Sequence, residues 1–405
     1  MEPVKPPTVR LFRDSPAFRA LVLSRMISFV GDGVALVALV LYVQGSRGTG
    51  RSVAGLLLAE AVPSLIGPVA GTLADRMDRR RLMMVCELGQ GAIYVAIAAW
   101  LPGYAVLLAM VAAATTLART FGPTGRSALP AIVGPDDLGG ANAWLGTALN
   151  LQVALGSLGG GLLVAGVGIR GALLVDAGTF LVSAVLLTRL PTLRPHRQEE
   201  AHRGFLADIG DGLRFAARHR VARAVVVTLL LGVAFAGVDN VALVFLVRDD
   251  LDAGAAGYGV VAAAWGVGML AISLSLIRWS RRIGPRFAYL GGWLSCGIGL
   301  VGTGLSPSLG PVATAQLIGG LGNGATNIGG DTMIQRTVSA GTLGRVFGLT
   351  ATAAFLGGGL AYAAGGLLVD ATSPRTAFLI GGAGVLVAFA LGVALLPAKT
   401  GTVES

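Results

Sequence analysis

A dense group of charges lies between two apolar runs near the start of the chain. The runs cover 52–74 and 82–101, and a charged stretch beginning at Asp75 and rich in arginine separates them. A helix needs about 20 apolar residues to cross a bilayer, and charges at the centre of the hydrocarbon are costly. The chain must therefore leave the membrane at this turn and re-enter it. Because basic residues favour the cytoplasmic side, we predict a cytoplasmic turn.

The rest of the chain repeats this pattern of membrane-length apolar segments. Hydrophobic residues make up 54% of the sequence and charged residues 13%, whereas a soluble protein carries about 25% charged residues. The sequence therefore predicts an all-α membrane protein with twelve transmembrane helices and both termini in the cytoplasm. The predicted segments are 18–43, 52–74, 82–101, 104–128, 142–168, 171–190, 222–247, 257–279, 286–306, 311–333, 346–369 and 376–397.

Short repeats indicate that the chain consists of two related halves. The sequence Gly-Gly-Leu-Leu-Val occurs at 160–164 and again at 365–369, about half a chain apart. Parallel six-helix repeats are a common architecture of secondary transporters. We predict three parts: an N-terminal six-helix half (1–190), a cytoplasmic linker with an amphipathic helix (191–220) and a C-terminal six-helix half (221–405).

The net charge of +10 raises the question of nucleic acid binding. Most of the 31 lysines and arginines, however, fall on segments predicted to be cytoplasmic, so the charge reflects topology. We therefore expect no nucleic acid partner. The two cysteines lie in apolar segments, which predicts free thiols.

The sequence also limits the sources of energy for the protein. Its two lysines, Lys5 and Lys399, do not belong to a phosphate-binding Gly-x-x-x-x-Gly-Lys-Ser/Thr loop. All three histidines lie in the polar stretch 196–219, so none is predicted inside the membrane to bind a metal or carry protons. Energy must then come from ATP hydrolysed elsewhere or from an ion gradient. We expect a proton gradient, no cofactor and no metal.

Ionisable residues inside the apolar segments are the main candidates for function, because each is costly unless it meets water or a partner. Arg25 and Asp32 lie seven residues apart on one face of the first segment. Glu60 lies in the second segment, Arg119 in the fourth and Asp239 in the seventh. We predict a proton and substrate site from these five residues, with Asp32 as its main acid, Glu60 as its second acid and Arg119 as its modulator. The alternative is a static set of buried pairs that fixes helix packing.

Two further acids are assigned structural roles. Glu87 lies one and a half turns into the third segment, close to the arginine cluster of the basic turn, and we expect it to pair with that cluster or the turn. Asp176 lies a few residues inside the sixth segment, and we expect it to serve packing.

The charged turn resembles a known signature. The pattern Gly71-x-x-x-Asp75-Arg76-x-x-Arg79-Arg80 is similar to the loop 2–3 motif of the major facilitator superfamily, with Asp78 where that family has glycine. The resemblance implies that these residues form a gating motif, which holds the outward-facing state through bonds across the inner gate.

Two helices carry further resemblances to the same superfamily. Arg119-Thr-Phe-Gly resembles its fourth-helix pattern, which implies a role for Arg119 in proton transfer. Gly156, Ser157, Gly160 and Gly161 resemble its antiporter motif, although Ser157 replaces a proline and Gln152 replaces an earlier glycine.

The remaining matches point to one branch of the superfamily. The pattern Arg25-x-Ile-Ser-x-x-Gly31-Asp32 and the segment Phe121–Pro130 resemble the macrolide-efflux branch of drug:proton antiporters. The resemblance implies a proton-coupled exporter of lipophilic small molecules, such as antibiotics, in a bacterial cytoplasmic membrane. An exporter of a siderophore or biosynthetic product, a lysolipid flippase and a non-transporting membrane sensor stay open as alternatives. We expect no enzymatic activity.

Overall fold

The computed structural model describes residues 12–66, 77–134, 137–138, 141, 144–145, 151–192, 214, 219–279, 283–338 and 340–397. Regular structure in these ranges is helical, which confirms the predicted all-α membrane fold. The helices are α1 Pro16–Arg47, α2 Gly50–Ala61, α3 Arg79–Trp100, α4 Tyr104–Ile132, α5 Ser157–Leu187, α6 Arg220–Ala236, α7 Asp239–Phe245, α8 Gly254–Trp279, α9 Pro285–Leu305, α10 Leu309–Thr337, α11 Ala340–Ala371 and α12 Pro374–Leu395. Two π-helical turns, Gln152–Gly156 and Leu246–Asp250, precede α5 and follow α7.

Described helices lie in each of the twelve predicted membrane segments, with 67–74 of the second segment and most of 142–150 of the fifth outside the described residues. Nine of the described helical stretches are long and apolar enough to cross a membrane. One of them, 152–187, is broken at Gly168, whose φ of 74° is readily adopted by glycine, so its two parts occupy the fifth and sixth segments. The second and tenth segments are occupied by α2 and α10.

By internal contacts the chain divides into two units. The first comprises residues 1–43 and 59–200, and the second comprises 44–58 and 201–405. The predicted domain boundaries thus remain predictions, with the end of α1 and most of α2 belonging to the second unit by contact. The predicted linker helix lies outside the described residues, except for Arg214 and the linker's two ends.

Hydrogen bonds explain why 44–58 belongs to the second unit. The carboxylate of Asp370, in α11, accepts hydrogen bonds from the backbone N–H groups of Gly50 and Arg51 and from Arg51 Nε at 2.8 Å. Gln44 Nε2 donates to Asp249 Oδ1 at 2.8 Å. Since the first N–H groups of a helix have no partner within it, Asp370 acts as a cap for α2 from a distant part of the chain.

Small residues allow the helices of the second unit to pack closely. A Cβ at Gly299 in α9 would lie 2.6 Å from the backbone nitrogen of Gly319 in α10, and one at Gly292 would lie 2.6 Å from that of Thr326. Close backbone approach through glycine is typical of helices packed in lipid. Large apolar side chains such as Leu274 and Phe287 stay exposed, as expected of surfaces that face hydrocarbon.

Candidate functional site

The first unit holds Arg25 in an aromatic sandwich. Its guanidinium carbon lies 3.9 Å from the centre of the Phe29 ring and 4.2 Å from that of Phe121. Phe29 follows Arg25 by one helical turn of α1, and Phe121 comes from α4. A desolvated guanidinium is stabilised by aromatic faces, so this charge is fixed by packing within the helices.

The acid that pairs with Arg25 is Glu87. Arg25 Nη1 lies 3.7 Å from Glu87 Oε1, and the Ser28 hydroxyl donates to the same oxygen at 3.5 Å. Glu87 is fully buried, and its Oε2 has no hydrogen-bond partner among the described residues. The expectation that Glu87 pairs with the basic turn is therefore wrong. The two residues lie at similar distances from the starts of their helices, since Arg25 is nine residues into α1 and Glu87 is eight residues into α3. That similarity is the signal in the sequence that could have predicted the pair.

The other predicted side chains of this unit also come together. Asp32 interacts electrostatically with Arg25 and Arg119, and Glu60 interacts with Asp32 and Arg119. Asp32 and Glu60 are half-buried and Arg119 is exposed, unlike the buried Glu87. We call Arg25, Asp32, Glu60, Glu87 and Arg119 the charge cluster. Its accessible members can meet water or a solute, while their role in transport stays a prediction.

Asp176 lies next to the charge cluster but is closed off from solvent. It is fully buried in α5, interacts electrostatically with Asp32, and accepts a hydrogen bond from Thr179 Oγ1 at 3.4 Å. Gly31 packs directly on Thr179 and Asp176, where a Cβ would overlap both side chains. This packing is consistent with the structural role expected of Asp176.

The antiporter-type residues form a close helix contact in the same unit. A π-helical turn at Gln152–Gly156 leads into α5, and a Cβ at Gly156 would lie 2.7 Å from the Cα of Gly33. Gly160 and Gly161 are buried and Ser157 is half-buried. The wider turn is a helix irregularity at the position where the superfamily motif has its proline bend.

We expect Gly156→Ala to destabilise the protein by about 1–3 kcal/mol, since the added methyl group overlaps the backbone of α1 and forces the helices apart. Thermal unfolding of the purified protein measures the loss. Gly159→Ala is the matched control, because its methyl group would make an ordinary contact of 3.6 Å with Val34. Equal melting temperatures for the two variants would contradict the close contact.

The gating motif is described only in part. Gly71, Asp75 and Arg76 lie outside the described residues, whereas Arg79 and Arg80 form the half-buried first turn of α3. Asp78, which departs from the superfamily's glycine, caps α3 by accepting a hydrogen bond from the N–H of Arg81 at 2.9 Å. The departure therefore gives the third helix a well-defined start.

Asp239 belongs to a separate polar contact in the second unit. Gln316 Nε2, from α10, donates to Asp239 Oδ1 at 2.7 Å and lies 3.4 Å from the hydroxyl of Thr303 in α9. Gln316 and Thr303 are 1% and 0% exposed, whereas Asp239 is half-buried. Neither Gln316 nor Thr303 was identified from the sequence, because an uncharged polar residue gives little signal among apolar ones.

No group of three or more histidine, cysteine or acidic side chains able to hold a metal occurs within the described ranges. The charge cluster instead combines carboxylates with guanidinium groups. Such a set can exchange a proton for another cation, because both compete for the same negative charge.

Comparisons with known proteins relate the whole chain to one family. Residues 21–247 and 227–404 match the Major Facilitator Superfamily. The chain is 29% identical over 384 residues to the multidrug efflux pump Tap of Mycobacterium tuberculosis, covering 90% of this chain and 89% of Tap. It is 28% identical over 395 residues to the enterobactin exporter EntS of Escherichia coli, covering 95% of this chain and 92% of EntS.

A solved structure shows the same fold. The crystal structure of a bacterial homologue of the human lysosomal transporter Spinster, in an inward-facing and occupied conformation, aligns with a TM-score of 0.73. The alignment covers 93% of this chain and 96% of that protein at 16% sequence identity. At that identity the likeness establishes the architecture, and function has to be argued from the site.

Proposed function

Because the chain belongs to the Major Facilitator Superfamily, we propose that this multi-pass membrane transporter exports amphiphilic small molecules from a bacterial cell in exchange for protons. It acts in the cytoplasmic membrane, with both termini in the cytoplasm. Its two sequence relatives named above are an efflux pump and an exporter, which supports the outward direction.

The observation that carries this proposal is the charge cluster. Half-buried Asp32 and Glu60 lie within electrostatic reach of exposed Arg119, on helices that are predominantly apolar. Intramembrane charges of this kind mark ion and substrate pathways. A carboxylate there binds either a proton or a cationic substrate, and the neighbouring guanidinium groups weaken its hold on both.

The exchange follows from that competition. A cationic substrate that reaches Asp32 displaces its proton, and a proton arriving from the other side of the membrane displaces the substrate. Arg119 interacts with both acids, so a movement of its guanidinium changes how strongly each one binds a cation. Lipophilic substrates suit a site on helices as rich in apolar residues as those that carry the acids.

The test is proton movement in everted membrane vesicles that contain the protein and are acidified inside. We expect addition of ethidium, a lipophilic cation, to raise the internal pH, as reported by a pH-sensitive dye. Vesicles without the protein are the control. Absence of substrate-dependent proton movement across ethidium, a catecholate siderophore and a lysophospholipid would contradict proton-coupled export.

Export of a siderophore or a biosynthetic product is the second candidate, favoured by the similarity to the enterobactin exporter over 95% of the chain. A response to the catecholate and none to ethidium would select it. A response to the lysophospholipid would indicate a lipid flippase. A non-transporting sensor would give no response to any of the three and would tolerate Asp32→Asn.

A further inference from the structure

In the contact between Asp239 and Gln316, a carboxylate meets an amide side chain that can both donate and accept hydrogen bonds. Gln316 is almost completely buried, and it donates from Nε2 to Asp239 Oδ1 at 2.7 Å. Its other terminal atom, Oε1, has no hydrogen-bond partner among the residues that the structure describes. A buried acceptor without a donor is unfavourable, so the arrangement is incomplete in the state that the structure represents.

A proton on Asp239 would give Oε1 a donor once the amide has turned. The amide of glutamine offers both N–H donors and a carbonyl acceptor, so it can donate to an ionised carboxylate or accept from a protonated one. A half-turn of the amide about its last side-chain bond exchanges the two atoms, and that rotation is broad and roughly two-fold. Arginine has only donors, so Arg25 matches Glu87 in its ionised form alone.

The surroundings of Asp239 leave its charge without a cationic partner in the described part of the chain. Among the described residues, Tyr258 in α8 and Cys296 in α9 interact electrostatically with Asp239, and both are uncharged in their ordinary protonation state. Of the charged side chains on the elements packed against α7, Asp370 pairs with Arg51, Asp250 pairs with Arg375, and Arg248 and Asp249 bond to Gln44. Arg345, in α11, is exposed and lies twenty residues, or about 30 Å, along that helix from Gly365, which packs on Val238. Asp250 itself is eleven residues along the helix from Asp239, or about 16 Å.

We propose that Asp239 is a proton-binding carboxylate and that Gln316 is its positioning residue, turning its amide to match Asp239 in both protonation states. The inference rests on the proposed proton exchange and places a second proton site outside the charge cluster. Gain of the proton makes Asp239 a donor to Gln316 Oε1, and loss of the proton restores the Nε2 contact. In both states a hydrogen-bond donor on one side chain therefore faces an acceptor on the other.

Infrared difference spectroscopy of the purified protein in lipid tests this proposal without any substrate. Lowering the pH should produce protonated-carboxyl bands from several acids, Asp32 and Glu60 among them, and one component of these bands should be missing in Asp239→Asn. In Gln316→Leu the same component should move to higher wavenumber, because the protonated carboxyl has lost its acceptor, and its midpoint should move to higher pH, because the ionised form has lost its donor. The double variant Asp239→Asn, Gln316→Leu should lack the shifted component.

Asp331→Asn is the matched control, since it removes an exposed carboxylate of the same unit and should leave that component unchanged. Gln316→Met, with a linear side chain of similar length, replaces the leucine variant if the latter does not fold. The proposal would be overturned if the spectra of Asp239→Asn and the wild type contained the same components. It would also be overturned if the component assigned to Asp239 kept its wavenumber and its midpoint in both Gln316 variants. Because this measurement requires no transport, the absence of proton-coupled export would leave a positive result standing as proton binding alone.

Discussion

Asparagine at position 32 is expected to reduce proton-coupled export at least tenfold while the protein stays folded. The carboxylate of Asp32 interacts with both Arg25 and Arg119. Its affinity for a proton therefore depends on both guanidinium groups of the charge cluster. The amide of asparagine keeps the size and much of the hydrogen bonding of aspartate but binds no proton at neutral pH. Everted vesicles that respond to ethidium provide the measurement.

Arg119→Ala is the companion variant, because it removes the exposed charge next to both Asp32 and Glu60. We expect export to fall in this variant too, with its pH dependence displaced from that of the wild type. Melting temperatures close to that of the wild type would show that both proteins are folded. If Asp32→Asn and Arg119→Ala each kept the proton flux of the wild type, Asp32 and Arg119 would have no part in the mechanism.

Removing the carboxylate of Glu87 is expected to have the largest effect on stability. The Arg25 side chain is 11% exposed and Glu87 is 0% exposed, so Glu87→Ala removes the buried carboxylate that forms the salt bridge with this guanidinium. The loss of one partner from a buried ion pair costs about 3–5 kcal/mol. We expect a large drop in melting temperature and a low yield of folded protein.

The double variant Arg25→Met, Glu87→Leu separates charge from packing. Replacing both members of a buried pair by apolar groups of similar volume is often neutral, so we expect the double variant to recover most of the lost stability. Its export activity should stay low, because Arg25 also acts on Asp32. If Glu87→Ala melts like the wild type, the ion pair does not hold these helices together.

The positions of the helices were largely predictable, because the length of an apolar run and the cost of burying charge leave few alternatives. Even the change of direction at Gly168 coincides with the predicted end of the fifth segment. Residues 44–58 are an exception. The sequence divides the halves near the linker, but the contacts of Arg51 with Asp370 place the start of α2 in the second unit. Apolar patterning gives no information about such partners.

The membrane-embedded acids could be predicted from the sequence because burying a charge is costly. The residues with which they interact could not be predicted in this way. A sequence gives the depth of a residue along its helix, and depth alone is consistent with Arg25 meeting Glu87. It does not give the rotation of one helix relative to another, which led us to pair Glu87 with the basic turn. Gln316 was missed because an amide carries no net charge and adds little to the cost of insertion.

The aromatic sandwich around Arg25 determines which groups near it can change their charge. An arginine side chain keeps its proton in proteins, and two rings at 3.9 and 4.2 Å hold this one where it is. Arg25 therefore supplies a positive charge whose size and position stay constant. The hydrogen ions that this region exchanges near neutral pH must then reside on its carboxylates. Because each carboxylate binds one proton, the number of carboxylates near Arg25 sets the upper limit on how many the region can store.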